Sequence, residues 1–243
     1  MHANSRQVSS RQSAPHPRLR EVVLRHLETA WRRQPSAAGC AAFESVASRA
    51  ACARLILDAG CGTGVSTFEL ARSHAGSLVL GVDKSAARLA LGQRMIDADA
   101  APPNAALLRC DLVDFWQLAA RAGLHFSRQF LLYPNPWPKP EHLRRRWHAH
   151  PVLPSILALG GTIELRTNWR IYAEEFAAAL ALCGRAAAVE EFAAATPSTP
   201  FERKYAASGH LLWRCRAAER NFGAGTNPSS SGQHAAMLDG QGP

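Results

Sequence analysis

Between residues 54 and 216, short apolar runs alternate with stretches whose apolar residues recur at helical spacing. The runs predict strands at 54–58, 78–83, 106–110, 129–133, 162–166, 187–191 and 211–215. The periodic stretches predict helices at 66–74, 86–98, 113–122 and 172–183, with a further one over 141–159 broken near Pro151 and Pro154. This alternation is the mark of an α/β chain: a doubly wound, mostly parallel sheet with helices on both faces. Ahead of it, Val22, Val23, Leu24, Leu27 and Trp31 lie near helical spacing among arginines and predict a basic amphipathic helix over 18–33. Residues 1–15 have no apolar periodicity and read as a disordered basic tail, and residues 221–243, rich in Gly, Ser, Asn and Gln, as a flexible one. The expected organisation is a single domain over 16–218, with halves at 54–122 and 129–216.

In doubly wound sheets, ligands bind beyond the carboxyl ends of the strands. The first strand ends in Leu57-Asp58-Ala59-Gly60-Cys61-Gly62-Thr63-Gly64, and a helix opens near Ser66. Glycines there permit a tight turn, and a helix N-terminus offers free amides to an anion. The Gly60, Gly62, Gly64 spacing is not the Gly-x-Gly-x-x-Gly of dinucleotide sites. Asp58 would repel a pyrophosphate but suits an ammonium group, and S-adenosylmethionine carries one. Asp83 ends the second strand, placed to accept two ribose hydroxyls, and Asp111 follows the third, near where an adenine edge would lie.

The fourth strand runs into Tyr133-Pro134-Asn135-Pro136-Trp137-Pro138-Lys139 and then Arg144, Arg145 and Arg146. Prolines at alternate positions forbid helix and remove ladder donors, leaving a stiff loop that presents an amide, an indole and a lysine.

Charge adds a partner class. A net charge of +9 favours a polyanion such as RNA. The six cysteines are scattered without a Cys-x-x-Cys pair, which points to a reducing, cytoplasmic setting and to neither a disulfide framework nor zinc. His142, His148 and His150 match no metal motif and read as a solvated helix face, so no metal is expected. No apolar run is long enough to span a bilayer. The N-terminus lacks the apolar region of a secretory signal, although its Arg- and Ser-rich composition also fits an organellar transit peptide. Nothing in the pattern separates a monomer from a homodimer.

With its glycine loop and strand-end acids, the chain resembles the class I methyltransferases, which implies a Rossmann-like, seven-stranded sheet with an antiparallel last strand. Pro134-Asn135-Pro136-Trp137-Pro138-Lys139 is similar to the Pro-Asp-Pro-Trp-x-Lys of bacterial tRNA (guanine-N7)-methyltransferases, and the arginines at 144–146 to the basic run after it. Leu159-Gly160-Gly161, Arg166-Thr167-Asn168-Trp169-Arg170-Ile171-Tyr172-Ala173 and Thr199-Pro200-Phe201-Glu202 resemble that family's Gly-Gly strand, Thr-Asp-Trp-x-x-Tyr-Ala and Thr-x-Phe-Glu, in the same order.

The resemblance implies S-adenosylmethionine as cofactor and tRNA as substrate, methylated at the variable-loop guanosine, position 46. It assigns Asp58, Gly60, Gly62, Gly64, Asp83 and Asp111 to the cofactor. Asn135 becomes the catalytic residue, bordering cofactor and guanine, and Lys139, Asn168, Thr199, Phe201 and Glu202 hold substrate. Arg144, Arg145, Arg146 and the N-terminal helix become phosphate contacts, and Trp137 or Trp169 either stacks on a base or packs inside.

Asn135 and Asn168 stand where the family has aspartates, and Pro140-Glu141 interrupts its basic run. Two alternatives therefore stay open. One is a paralogue methylating another RNA or a small molecule; the other is a protein that binds S-adenosylmethionine and RNA without turnover.

Overall fold

The computed structural model describes residues 5–51, 53–193 and 197–219. Its elements are α1 (Leu19–Glu28), α2 (Ala37–Ala51), β1 (Leu55–Ala59), α3 (Val65–Ser73), β2 (Leu78–Asp83), α4 (Ala86–Asp97), β3 (Ala105–Arg109), α5 (Leu112–Arg121), β4 (Phe126–Leu132), α6 (Leu153–Ala158), β5 (Thr162–Thr167), α7 (Arg170–Leu182), β6 (Ala187–Phe192), α8 (Pro200–Ala207) and β7 (Leu212–Ala217). The seven strands form one sheet in the order β3-β2-β1-β4-β5-β7-β6. β1 to β5 are parallel, and β7 runs antiparallel between β5 and β6, as the family resemblance implies.

The central strands are apolar runs because both of their faces are covered. Every residue of β1 and β2 is buried. Phe115, Trp116, Phe126 and Phe176 pack on one face, and Phe68 with Tyr133 on the other. Burying one Leu such as Leu57 supplies about 1.5–3 kcal/mol, which anchors the strand whose end carries Asp58.

The strand order reverses between β1 and β4, so the loops after those two strands face each other across a crevice at their carboxyl ends. Side chains after β1, β2, β4 and β5 thus collect at one end of the sheet, while β7 brings its leading residues alongside the end of β5.

Four expectations change. The helix over 141–159 is instead two 3-10 turns, Pro140–Arg145 and Trp147–Ala149, followed by the short α6. Pro140, Pro151 and Pro154 supply no amide hydrogens, and Arg146 adopts extended backbone (φ −79°, ψ 136°) with its side chain turned inward. The helix expected over 18–33 stops at Glu28, where Thr29 turns extended.

Two helices went unanticipated. Ala37–Ala51 is Ala-rich with little apolar contrast, and the stretch at Thr199–Glu202 opens α8. Finally, residues 5–15 are not a free tail. The Ser5 N–H donates to Ser208 Oγ (3.1 Å), the Ser10 hydroxyl to the Pro138 carbonyl (2.5 Å) and Gln12 Nε2 to Glu175 (2.6 Å). The tail expected at 221–243 lies outside the described residues. Among the described residues, no helix is long and apolar enough to cross a membrane.

Candidate active site

The glycine loop after β1 forms as its residue types require. Gly60, Gly62 and Gly64 have φ of 79°, 58° and 79°, a region that costs other residues a Cβ clash. Gly64 stands at the N-cap of α3 with no side chain to close the first turn.

Beneath the loop, Asp58 is only 1% exposed. Its Oδ2 accepts hydrogen bonds from the Ser66 and Thr67 hydroxyls (2.6 and 2.7 Å), while Oδ1 has no partner among the described residues. Burial pushes this carboxyl up to about 6, against the pull of the two hydroxyls, and the nearby Asp83 adds to the rise. Gly81 on β2 is necessary for this arrangement, since a Cβ there would collide with the Thr67 hydroxyl. A buried carboxylate with a free oxygen beside a glycine cradle fits the ammonium end of an amino acid.

Asp83 braces the same loop. Its Oδ2 accepts the Gly62 N–H (3.0 Å) and its Oδ1 the Ser85 N–H (2.8 Å), and a carboxylate still has lone pairs for further donors. Asp111 caps α5 through Oδ1, which accepts the Val113 N–H at 2.9 Å. The three strand-end acids and the glycines expected to serve the cofactor thus gather at adjacent strand ends.

Across the crevice, the proline-rich loop is held in strained geometry. Tyr133 and Trp137 have φ of 53° and 46°, unusual for residues with side chains, at a cost of about 1–3 kcal/mol each. Asn135 lies exposed between them, its Oδ1 accepting the Trp137 N–H (3.2 Å).

Identifiable contacts enforce the strain. Tyr133 donates its amide to Arg166 (2.8 Å) and its hydroxyl to Glu202 (2.9 Å). Arg146 donates Nε and Nη2 to the Trp137 carbonyl (3.2 and 3.1 Å) and Nη2 to that of Lys139 (3.3 Å). Its Nη1 meets Glu175 at 2.5 Å, and both side chains are fully buried. Glu175 also accepts from His148 (2.9 Å), Gln12 (2.6 Å) and the His16 amide (2.8 Å). Burial alone would raise the Glu175 carboxyl, but His148 and Arg146 hold it down at about 2. Burial lowers His148, against the pull of Glu175, to which its Nε2 donates.

This network corrects two expectations and decides between the alternatives of a third. Arg146 faces inward and is no phosphate contact, because all of its charge is met by Glu175 and backbone carbonyls. Trp169 is 7% exposed and lies under Arg146, so it packs rather than stacks on a base. His148 is buried and belongs to no solvated face. Arg144, Arg145 and Lys139 are exposed, with Arg145 lying 4.7 Å over the half-buried Trp137 ring. Arg18 foremost, then Arg25 and Arg144, hold Glu21 below the usual carboxylate range, so α1 and the loop share one basic surface. Among the described residues, no group of three or more His, Cys, Asp or Glu is placed to share a metal ion.

The third wall comes from the end of β5 and from α8. Asn168 is half-buried, with Nδ2 3.1 Å from His210 Nδ1. Thr199 is the N-cap of α8, accepting the Glu202 N–H at 2.9 Å, and Phe201 is 46% exposed. Glu202, expected to touch substrate, is wholly buried. It accepts from Tyr133, Arg166 (3.0 Å) and Ser198 (2.6 Å), and so braces the proline-rich loop from below. Sequence reasoning missed Ser66, Thr67, Glu175 and His210. Only Glu175 left a signal, a carboxylate between Tyr172 and Phe176 on the apolar face of α7. A cavity of about 580 Å³ by Trp31, Gln117 and Pro154 shares no residue with this crevice.

Residues 53–215 match the model of a family described as "Putative methyltransferase". The tRNA (guanine-N(7)-)-methyltransferase of Thiobacillus denitrificans is 32% identical over 192 residues, covering 71% of this chain and 76% of that relative. The enzyme of the same name from Burkholderia ambifaria is 30% identical over 224 residues, covering 82% and 84%. Among solved structures, a 16S rRNA (adenine(1408)-N(1))-methyltransferase from Catenulisporales acidiphilia, with cosubstrate SAM, has a TM-score of 0.52 at 20% identity. It covers 72% of this chain and 90% of that one. The 16S rRNA methyltransferase KamB has a TM-score of 0.53 at 19% identity, covering 77% and 96%. At such identities the likeness carries the fold alone.

Proposed function

Because the chain belongs to the tRNA (guanine-N7)-methyltransferase family, we propose that it transfers a methyl group from S-adenosylmethionine to N7 of a guanine in tRNA, at variable-loop position 46. The observation that carries this reading is the facing pair of loops at the sheet's switch point. One is the glycine loop with the partnerless Asp58 Oδ1; the other is the strained loop that presents Asn135.

The residues present fit the cofactor. Asp58 would hold its ammonium, the glycine loop its amino-acid backbone, Asp83 the ribose hydroxyls and Asp111 the adenine edge. When bound, S-adenosylmethionine supplies an electrophilic methyl on a sulfonium. N7 of guanine has a free lone pair at neutral pH, so no general base is required. Methylation of that lone pair would leave the purine cationic and would ask none of the chain's residues to move a proton. The chain's task is alignment, which can supply several kcal/mol.

The rigid loop serves that task. Asn135 borders the reacting atoms, held by the Trp137 amide, and Lys139 with the exposed Arg144 and Arg145 would take RNA phosphates. An amide at 135 lacks a carboxylate's attraction for the cationic product, about 4 kcal/mol at 4 Å and an effective dielectric near 20 before desolvation. The missing charge supports a second reading, a protein that binds cofactor and RNA with little turnover.

Incubation with labelled S-adenosylmethionine and unmodified total tRNA tests the assignment. Label recovered as 7-methylguanosine supports it. Bound cofactor without that product points to another acceptor or to the binding protein.

A further inference from the structure

The amide of Asn168 has two ends of opposite chemistry, and the structure shows which end His210 engages. His210 is 8% exposed, and its Nε2 lies 2.8 Å from the Ser5 carbonyl oxygen. A carbonyl can only accept, so Nε2 donates, and with the Asn168 amide nitrogen set against it Nδ1 presents its lone pair. That lone pair needs a donor. The Asn168 group at 3.1 Å meets it with Nδ2, the only donor the side chain has.

Nδ2 spends one of its two hydrogens there, and Oδ1 has no protein partner among the described residues. The ring is itself held, stacked on Tyr205 at 5.2 Å and 15°, and Phe201 stacks on the same tyrosine at 6.1 Å and 27°. The chain Ser5 carbonyl, His210, Asn168 therefore runs one way only and ends in an acceptor.

We propose that His210 is a positioning residue that orients Asn168 so that its Oδ1 accepts from the N1–H and exocyclic amine of guanine, doing with an amide what a carboxylate does without orientation. This rests on the functional reading above. Guanine presents donors at N1 and N2, whereas adenine presents a bare N1 to the same oxygen. The oriented amide thus favours guanine, and it accounts for an asparagine standing where the motif this stretch resembles has an aspartate. An aspartate at 168 would set its negative oxygen against the bare Nδ1 of His210, so the two residues fit each other as a pair.

Three proteins test this: the wild type, His210→Phe, and His210→Phe combined with Asn168→Asp. Phenylalanine keeps the stack on Tyr205 and removes both ring nitrogens. Released from its donor role, the Asn168 amide is free to rotate. The value of kcat/KM for tRNA carrying the acceptor guanosine should fall roughly tenfold, in line with the loss of one oriented hydrogen bond. Adding Asn168→Asp should recover most of that loss, because both ends of a carboxylate accept. Circular dichroism checks that the variants fold.

Wild-type rate in His210→Phe, or no recovery in the double variant, overturns the proposal. A purely structural role for His210 predicts no rescue by Asn168→Asp. Nitrogen-15 correlation spectra of the histidines, recorded without any substrate, should show the His210 proton on Nε2. A proton on Nδ1 overturns the orientation even where tRNA is methylated. Wild-type protein that methylates no tRNA guanosine would instead remove the functional reading and the guanine partner with it, while the proton position is still read directly.

Discussion

Arg146 and Glu175 form a fully buried ion pair, Nη1 to Oε2 at 2.5 Å, between the proline-rich loop and α7. The arginine's remaining donors reach the Trp137 and Lys139 carbonyls and Gln12 Oε1, and the carboxylate's other oxygen takes Gln12 Nε2 and the His16 amide. One pair thus ties the substrate-facing loop and the N-terminal segment to the same helix. The strain at Tyr133 and Trp137 persists because this network, with Glu202 below, leaves the loop no relaxed alternative.

Arg146→Met should destabilise the fold by about 3–5 kcal/mol, since it strands a buried carboxylate. Urea unfolding at neutral pH measures the change, and an effect below about 1 kcal/mol would contradict the network's role. The pair should also leave an acid signature. The Glu175 carboxyl is depressed in the folded chain from its ordinary 4.5 to about 2. Its stabilising contribution is therefore present above about 4.5 and lost as pH falls toward 2. Stability in Arg146→Met should be less pH-dependent over that window.

Asp58 predicts a pH dependence for binding, in a higher window than that of Glu175. Its folded carboxyl lies near 6, raised chiefly by burial. An ammonium ligand needs the ionised form, so S-adenosylmethionine affinity should hold above about 6.5 and weaken about tenfold for each pH unit well below 6. Calorimetry from pH 5 to 8 reads this directly, and flat affinity across the range would remove Asp58 from the ammonium site. The same raised carboxyl is a stability cost that grows as pH rises from about 4 through 6, since the folded state then gives up a proton the unfolded chain has already lost.

Asn135→Asp should leave the loop intact, because the oxygen that accepts the Trp137 amide is retained. It adds negative charge near a purine that becomes cationic. Single-turnover transfer to tRNA should rise by roughly tenfold or more. A fall would mean that the amide hydrogens of Asn135 contact the substrate.

Arg145→Ala should weaken tRNA binding at any sequence and reduce the salt-dependence slope by about one, the behaviour of a phosphate contact. Arg145 is exposed over Trp137, so its removal should spare stability. Filter binding across a salt series checks both, and an unchanged slope would place the RNA elsewhere.

Much of this was legible along the chain. Apolar runs mark β1 and β2 because both faces of a central parallel strand are buried, and the glycines at 60, 62 and 64 mark a turn only they can make at positive φ. The start of α8 is written locally too, in the capping pattern of Thr199 and Glu202, although that helix went unanticipated. Such signals are legible because their causes lie within a few residues of one another.

The direction each polar side chain takes was decided by the fold alone. Three neighbouring arginines look alike in sequence, yet Arg144 and Arg145 face solvent while Arg146 turns inward to a carboxylate 29 residues away. Glu202 faces Tyr133 rather than the crevice, and Asn168 takes its orientation from His210 and, through it, from Ser5. Composition and spacing determine which segments become strands and which end of the sheet carries the acids. They cannot determine which charge is buried, because a buried charge persists only where partners from distant segments meet it, and those partners become neighbours only once the sheet has assembled.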